Sequence, residues 1–253
     1  MKRIVVKIGS NVLTREDGSL DITRMSSLVD QIAVLKRKGL DILVVTSGAV
    51  ACGRSIIKSG HRLDSVEQRQ LFSAVGQVSL INHYSQLFHE YGITIGQVLT
   101  MKENFDTVVE YRNQRQCMEV MLENGVIPVI NENDTVCVTE LMFTDNDELS
   151  GLIANMMNAD MLVILSNVDG VYRDIEHSDE VIPLVRSNED ISRFIDSSRS
   201  SSGRGGMATK SNTAILISAS GIPVAIACGK RENVLCDLIE NPEKVPHTLF
   251  VKE

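Results

Sequence analysis

The sequence predicts an α/β protein, built as a three-layer αβα sandwich with a mostly parallel open sheet. Short β-branched apolar runs alternate with longer amphipathic stretches along the chain. Several of these runs are apolar throughout, as strands covered by helices on both faces are. No internal repeat or Pro/Gly-rich linker divides the 253 residues, so we expect a single domain over residues 1–253.

The strands are predicted from apolar, β-branched composition over four to eight residues. Six runs meet this description, at residues 4–8, 41–46, 93–99, 125–130, 161–165 and 223–227. The first run is apolar except for Lys7, whereas the run at 161–165 is apolar at every position. The remaining strands follow amphipathic segments, as a parallel arrangement requires.

The helices are predicted from apolar residues at helical spacing. The segments are 22–38, 65–91, 113–123, 149–157, 207–219 and 234–239. The first of them ends at Gly39, which suits a helix C-terminus. Ser47-Gly48-Ala49 directly follows a strand and predicts another helix start, and a small hairpin is expected around residues 135–143.

The composition excludes several classes of protein. A net charge of −8, no tryptophan and only 4% aromatic residues disfavour nucleic acid as a partner. No apolar run approaches the roughly 20 residues that span a bilayer, and the N-terminal apolar stretch is too short for a signal peptide. We therefore expect no membrane association and a cytoplasmic location. Scattered cysteines and histidines predict neither a disulfide framework nor a set of metal-ligating side chains.

Small and polar residues follow four of the predicted strands. Because ligands of open α/β sheets bind beyond the carboxyl ends of the strands, these residues predict one shared site. The four groups are Lys7 with Gly9 and Ser10, then 47–49, 131–134 and 166–170.

The segment Ser200–Lys210 carries the strongest single signal. Its glycines allow close backbone approach to an anion, the predicted helix start adds a favourable dipole, and Lys210 adds a point charge. This combination suits the phosphates of a nucleotide, although the spacing is not that of a Walker A loop. The alternative interpretation is a serine/glycine linker that ends in a helix.

Lys7 and the acidic segments each have a structural and a functional interpretation. Lys7 could be an edge-strand residue, or it could approach one triphosphate together with Lys210. The acidic segments 131–134 and 145–148 could supply only turns and helix caps. Glycoside hydrolysis would leave the glycine loop and both lysines without a role. A site that holds a cationic amine and a magnesium ion accounts for more of these residues.

The order of the motifs resembles that of the amino acid kinase family over residues 3–240. The motifs are 6–10 (VKIGS), 46–50 (TSGAV), 129–134 (VINEND), 145–147 (DND) and 205–210 (GGMATK). Within the family, 74–77 (AVGQ) and 96–97 (GQ) are similar to the members that phosphorylate glutamate. The resemblance implies a carbamate kinase-like fold and ATP-dependent phosphorylation of the side-chain carboxylate of L-glutamate, the first step of proline biosynthesis.

The resemblance also implies a role for each site residue. Lys7 and Lys210 would neutralise the phosphates, and Asp147 would orient both lysines and help to organise Mg²⁺. The residues implied to hold glutamate are Ser47, Gly48, Asn131, Asp134, Asp145 and Asn146, with Asp134 facing the ammonium group. Those implied to bind ATP are Lys7, Gly9, Ser10, Ser166, Asn167, Arg204, Gly205, Gly206, Met207, Ala208, Thr209 and Lys210.

The chain departs from the family pattern in two ways. Asn167 stands where relatives usually have an aspartate, and we expect no PUA domain of the kind that many relatives append after the kinase. We expect the part to about residue 160 to serve mainly the amino acid and the later part mainly ATP. The resemblance further implies a homo-oligomer, a dimer or tetramer, and proline as a feedback inhibitor.

Two kinds of alternative remain open. The first is a sibling kinase that acts on aspartate, which is one methylene shorter than glutamate and so hard to discriminate, or on acetylglutamate, which lacks the free amine. A uridylate kinase is disfavoured because its substrate phosphate needs basic residues where this chain has acidic ones. The second is a non-catalytic nucleotide or amino-acid sensor on the same fold.

Overall fold

In the computed structural model, the protein is described over residues 1–58, 62–137, 145–173, 180–195 and 206–253. The strands are β1 (Arg3–Ile8), β2 (Asp41–Thr46), β3 (Ile95–Thr100), β4 (Ile127–Glu132), β5 (Met161–Ser166), β6 (Leu184–Arg186), β7 (Val224–Cys228) and β8 (His247–Val251). The helices are α1 (Ser10–Leu13), α2 (Ile22–Arg37), α3 (Ala49–Ile56), α4 (Ser65–His89), α5 (Val108–Glu123), α6 (Asn146–Met156), α7 (Ser192–Ile195), α8 (Met207–Ala219) and α9 (Val234–Glu240).

The described strands form one eight-stranded sheet in the order β3-β4-β2-β1-β5-β7-β8-β6. Every neighbouring pair is parallel except β7 and β8. The prediction of a mostly parallel open sheet is therefore confirmed. Because β1 lies between β2 and β5, the carboxyl ends of these three strands emerge side by side at one edge of the sheet.

Two apolar cores cover the two faces of the sheet, which completes the predicted three layers. One core joins the sheet to α2, α3, α4 and α9. The other joins it to α5, α6 and α8. Side chains of β1 alternate between the two, since Ile4 and Val6 belong to the first core and Val5 to the second. This alternation places Lys7 on the same face as Val5, toward α6 and α8.

Helices α3 and α4 touch through two glycines. A Cβ atom on Gly53 would lie 1.8 Å from the carbonyl oxygen of Phe72, and one on Gly76 would lie 1.8 Å from the carbonyl oxygen of Ala49. No side chain larger than hydrogen fits at either position without moving a backbone. This contact fixes the start of α3, which follows β2, against the middle of α4.

The predicted elements recur with shifted ends, and short elements were missed. Helix α5 begins five residues before the predicted start, because Thr107 caps it by accepting from the backbone N–H of Glu110. Helix α6 begins at Asn146 because Asp145 caps it. The missed elements have three to five residues, too few to show a period, and are α1, α7, β6 and β8. Residues 138–144 of the predicted hairpin lie outside the described residues.

None of the described helices combines the length and the apolar character that a membrane span requires.

Candidate active site

A cavity of about 970 Å³ opens at the carboxyl ends of β1, β2, β4 and β5. This position is the one expected for ligands of an open α/β sheet, and the volume suits a pair of small molecules. It brings together fifteen of the residues singled out in the sequence. They are Lys7, Gly9, Ser10, Ser47, Gly48, Asn131, Asp134, Asp145, Asn146, Asp147, Ser166, Asn167, Gly206, Met207 and Lys210.

Lys7, Asp147 and Lys210 form one buried ion-paired group. The ammonium of Lys7 contacts Oδ1 of Asp147, and the ammonium of Lys210 donates to Oδ2 at 2.9 Å. The side chain of Asp147 is fully buried, and the lysine side chains are 5% and 10% exposed. Two cations and one anion leave a net positive charge at the wall of the cavity, where it can bind phosphate.

The fold explains how residues so far apart in sequence meet. Lys7 lies on the face of β1 that α6 and α8 cover, near the carboxyl end of the strand. Asp147 and Lys210 lie in the first turns of α6 and α8, which pack against each other. Both helices therefore begin near the carboxyl end of β1, where Lys7 lies, and the three side chains meet there.

The pKa values of Asp145, which caps α6, and of Asp147, in its first turn, are shifted in opposite directions. Burial by itself raises the pKa of Asp147, but the ammonium groups of Lys7 and Lys210 outweigh it, so this pKa lies below its ordinary value. Burial, reinforced by the charge of Asp147, raises the pKa of Asp145, and the opposing effect of Lys7 is smaller. Asp147 is thus held as a carboxylate, whereas the ionised form of Asp145 is disfavoured.

The start of α8 forms one wall of the cavity. Gly206 precedes the helix and has no side chain with which to cap it, so among the described residues no side-chain cap serves the backbone N–H groups of the first turn. Uncapped N–H groups at a helix start favour anions. Ser166 ends β5 and Asn167 follows it on the same wall, and the hydroxyl of Ser166 donates to the amide oxygen of Asn167 at 3.4 Å.

Two residues predicted to bind ATP do not line this cavity. On α8, Met207 and Lys210 share one face because they are three positions apart, whereas Ala208 is exposed. The hydroxyl of Thr209 donates to the carbonyl oxygen of Gly206 at 2.9 Å. Arg204 and Gly205 lie outside the described residues.

An amide network forms the opposite wall. Nδ2 of Asn146 faces three acceptors that share its two N–H groups: the carbonyl oxygen of Thr46 at 2.9 Å, Oγ of Ser47 at 2.9 Å and Oδ1 of Asn131 at 3.0 Å. Gly48 begins α3 with a φ of 107°, a left-handed conformation that favours glycine. The network ties the ends of β2 and β4 to the start of α6.

Asp134 is paired with an arginine that sequence reasoning missed. Nε of Arg69 donates to Oδ1 of Asp134 at 2.8 Å, and Nη2 of Arg69 reaches the same atom and also Oε2 of Glu132 at 2.6 Å. Arg69 lies on α4, far from both carboxylates in sequence, so no local pattern could identify the pairing. Both of these contacts with Asp134 use its Oδ1.

Asp145 is the residue that fits a magnesium ion. Its Oδ1 caps α6, accepting from the backbone N–H groups of Asp147 and Glu148, while its Oδ2 is buried without a hydrogen-bond partner among the described residues. Mg²⁺ is often bound by one or two carboxylates together with substrate phosphates. No group of three or more metal-ligating side chains occurs in the described part of the chain, so phosphates and water would supply the other ligands.

Comparison with known proteins identifies the family. The model of the amino acid kinase family matches residues 2–228. The chain belongs to the amino acid kinase family. The resemblance drawn from the sequence motifs is thereby confirmed.

Several curated relatives of this amino acid kinase are named glutamate 5-kinase. The one from Bacteroides thetaiotaomicron is 58% identical over 251 residues, which cover 98% of this chain and 70% of the relative. The one from Chlorobaculum tepidum is 46% identical, with 92% of this chain and 65% of the relative covered. The one from Symbiobacterium thermophilum is 40% identical, with 100% and 97% covered. The chain thus spans about two thirds of two of these relatives and nearly all of the third.

Solved structures of the same fold include more distant kinases. A carbamate kinase from Giardia lamblia, bound to AMP-PNP, matches this amino acid kinase with a TM-score of 0.71 at 16% identity, covering 100% of this chain and 99% of that one. A UMP kinase from Bacillus anthracis matches with a TM-score of 0.66 at 16% identity, covering 99% and 96%. At this identity the likeness establishes the carbamate kinase-like fold alone.

Proposed function

We propose that this amino acid kinase transfers the γ-phosphoryl group of ATP to the side-chain carboxylate of L-glutamate. The observation that carries the proposal is the meeting of Lys7 and Lys210 on Asp147 inside one cavity with the acidic and amide wall. The 58% identity with a relative named glutamate 5-kinase supports glutamate as the acceptor.

The reaction requires little from the protein besides alignment and charge. A carboxylate oxygen of glutamate forms a bond to the γ-phosphorus, the bond from that phosphorus to the β–γ bridging oxygen breaks, and ADP leaves with the electron pair. Because a glutamate side chain is ionised at neutral pH, no base has to remove a proton. Stabilising the charge on the moving phosphoryl group is then the main catalytic task.

The ion-paired group is suited to this task. Lys7 and Lys210 place two ammonium groups where negative charge accumulates on the phosphoryl oxygens and on the departing ADP. Asp147 holds both lysines in fixed positions, which limits the reorganisation that the transition state needs. The backbone N–H groups at the start of α8 add donors for the nucleotide phosphates.

We propose that ATP binds as its magnesium complex and that Asp145 lies next to the metal. Its buried Oδ2 supports this assignment. When bound, Mg²⁺ neutralises phosphate charge and helps to orient the triphosphate. The role suggested for Asp147 is different, because both of its oxygens already contact ammonium groups.

The wall formed by Asn131, Asp134 and Asn146 is suited to the amino-acid end of glutamate. Acceptor oxygens on this wall favour a free ammonium group over an acetylated amine, which carries one N–H and no charge. The discrimination against aspartate rests on the length of the bay, where one methylene is worth about 1–3 kcal/mol.

We also propose how the two parts of the chain divide the work of binding. Residues 1–253 act as one kinase domain, with glutamate mainly held by the part to about residue 160 and ATP mainly by the rest. Proline inhibition, a dimeric or tetrameric assembly and a cytoplasmic location stay predictions. Assays with added proline and sedimentation analysis of the purified chain test the first two.

The deciding experiment compares acceptors in one assay. ADP release is measured with L-glutamate, L-aspartate and N-acetyl-L-glutamate, each with and without Mg²⁺, while hydroxylamine traps any acyl phosphate. We expect release and trapping with glutamate and Mg²⁺, and at least tenfold lower kcat/KM with the other acceptors. Faster turnover of aspartate or acetylglutamate would assign a sibling activity, and no turnover with any acceptor would favour a sensor.

A further inference from the structure

Gln77 lies behind the amide wall and is not among the residues that line the cavity. It sits on α4, is 9% exposed, and accepts a hydrogen bond from Nδ2 of Asn131 at 2.9 Å. Asn131 in turn accepts from Asn146, which does line the cavity. The three amides therefore form a chain that runs from the core of the protein to the site.

Backbone groups fix the direction of this chain. The backbone N–H of Glu132 donates to Asn131 at 2.9 Å, so the accepting end of Asn131 has to be Oδ1. The carbonyl of Thr46 accepts from Asn146 at 2.9 Å, so the donating end of Asn146 has to be Nδ2. Since a backbone N–H only donates and a carbonyl only accepts, neither amide can rotate by half a turn without losing these bonds.

The fixed direction leaves one acceptor without a partner. All three hydrogen bonds of Asn146 use Nδ2. Its Oδ1 is buried and has no hydrogen-bond partner among the described residues. A buried oxygen in this condition carries a free-energy cost that a donor from a ligand removes. An ammonium group has three donors and a positive charge, which makes it the matching ligand group.

We propose that Gln77 is a positioning residue that acts through Asn131 to hold Oδ1 of Asn146 toward the ammonium group of the amino-acid substrate. This inference rests on the proposed function and deepens it, because it assigns the selectivity for a free α-amine to a buried residue outside the cavity. Without an acceptor at position 77, Nδ2 of Asn131 is left buried and unpaired, and the chain loses its anchor.

The test measures steady-state constants of the full chain carrying Gln77→Met, which keeps the volume but removes the acceptor. We expect KM for glutamate to rise roughly tenfold, as loss of a buried hydrogen bond implies, while KM for ATP stays unchanged. Glutarate, which has both carboxylates but no amine, serves as a competitive probe. Its inhibition constant should not change, since the affected contact concerns the amine alone.

Matched variants separate positioning from folding. Gln31 is also a buried glutamine with two hydrogen bonds, to Ser27 and Leu235, but it lies on α2 outside the site. Gln31→Met should therefore lower Tm without changing any kinetic constant. Gln77→Glu keeps an accepting oxygen for Asn131 and should stay within about threefold of the wild-type KM.

Three results would overturn the proposal. The first is an unchanged KM for glutamate in folded Gln77→Met. The second is a rise in the inhibition constant of glutarate by the same factor as the rise in KM for glutamate. The third applies if Gln77→Met does not fold. In that case Asn146→Ala removes the acceptor oxygen itself, and an equal loss of affinity for glutamate and for glutarate in this variant would reject a contact between Oδ1 of Asn146 and the ammonium group. A wild-type chain that does not phosphorylate glutamate contradicts the proposed function instead.

Discussion

Lys7 and Lys210 contact opposite oxygens of one buried carboxylate, that of Asp147. The two lysines come from a strand at the start of the chain and from a helix near its end. Their shared counter-ion keeps two positive charges close together in a region largely shielded from water. The group of three side chains carries one net positive charge, although the net charge of the protein is −8.

Removing the charge of Asp147 should disable the site more than the fold. In Asp147→Asn the two ammonium groups lose their anion and repel each other, so we expect kcat to fall by at least about 100-fold. Initial rates of ADP release measure this, with circular dichroism to verify folding. Asp160→Asn, which changes an exposed carboxylate bonded to the backbone of Arg3, is the control and should leave kcat unchanged.

Lys210 should matter for the chemical step. Lys210→Met keeps the aliphatic stem and removes the charge, so kcat should fall on the order of 100- to 1000-fold. Stopped-flow or quench measurements of a single turnover locate the loss in phosphoryl transfer. Lys252→Met alters an exposed lysine at the C-terminal end and should behave as wild type. A wild-type rate in folded Lys210→Met would refute the assigned role.

Arg69 should contribute to stability through the two carboxylates that it pairs. Arg69→Met leaves Glu132 and Asp134 close together without their cation, and we expect a loss of about 3 kcal/mol in the free energy of unfolding. Arg69→Lys cannot reproduce the contacts of two guanidinium nitrogens, but it keeps the positive charge. We therefore expect it to lose less free energy of unfolding than Arg69→Met does. Urea titration at pH 7 measures both, with the exposed Arg112→Met as control. Equal stability of Arg69→Met and wild type would contradict the pairing.

Asp145 should show a conflict between stability and activity. Its raised pKa means that ionising this carboxyl costs the folded state free energy at neutral pH. Asparagine caps helices as well as aspartate does, so Asp145→Asn should raise Tm at pH 7 and lower Mg²⁺-dependent turnover.

The sign of the pH dependence follows from the direction of that shift. The stability advantage of Asp145→Asn should be full above the raised pKa and should vanish once pH falls below the ordinary value of 3.8, since wild-type Asp145 is then protonated in both the folded and the unfolded state. Asp147 behaves oppositely, since its lowered pKa contributes stability above 3.8 that is lost on further acidification. Calorimetric scans of wild type and Asp145→Asn from pH 7 to pH 3 measure this pH dependence. A stability advantage of Asp145→Asn that grows on acidification would contradict the raised pKa of Asp145.

The sequence predicts the sheet and most of the site because strand exits are local features. Apolar runs locate the strands, and the polar residues that follow them converge by topology alone, as Lys7, Ser47 and Ser166 illustrate. The convergence of Lys210 was anticipated because a glycine-rich segment precedes its helix.

Other contacts have no local signature. The pairing of Arg69 with Asp134 depends on how α4 packs against the end of β4, which periodicity does not encode. The hydrogen bond from Asn131 to Gln77 joins β4 to α4. The motif that contains Gln77 was identified in the sequence, but nothing in the sequence indicated this contact. Ala208 is exposed and outside the cavity lining, a position that a sequence motif does not reveal because it does not state which side of a helix faces the cavity.

The glycine contact between α3 and α4 constrains how this enzyme can open and close. Gly53 and Gly76 bring two backbones together so tightly that neither helix can slide past the other without a clash. The same contact fixes the position of Gln77, which follows Gly76 on α4 and accepts from Asn131 behind the amide network. We therefore expect any opening of the cavity to leave the pairing of α3 with α4 intact.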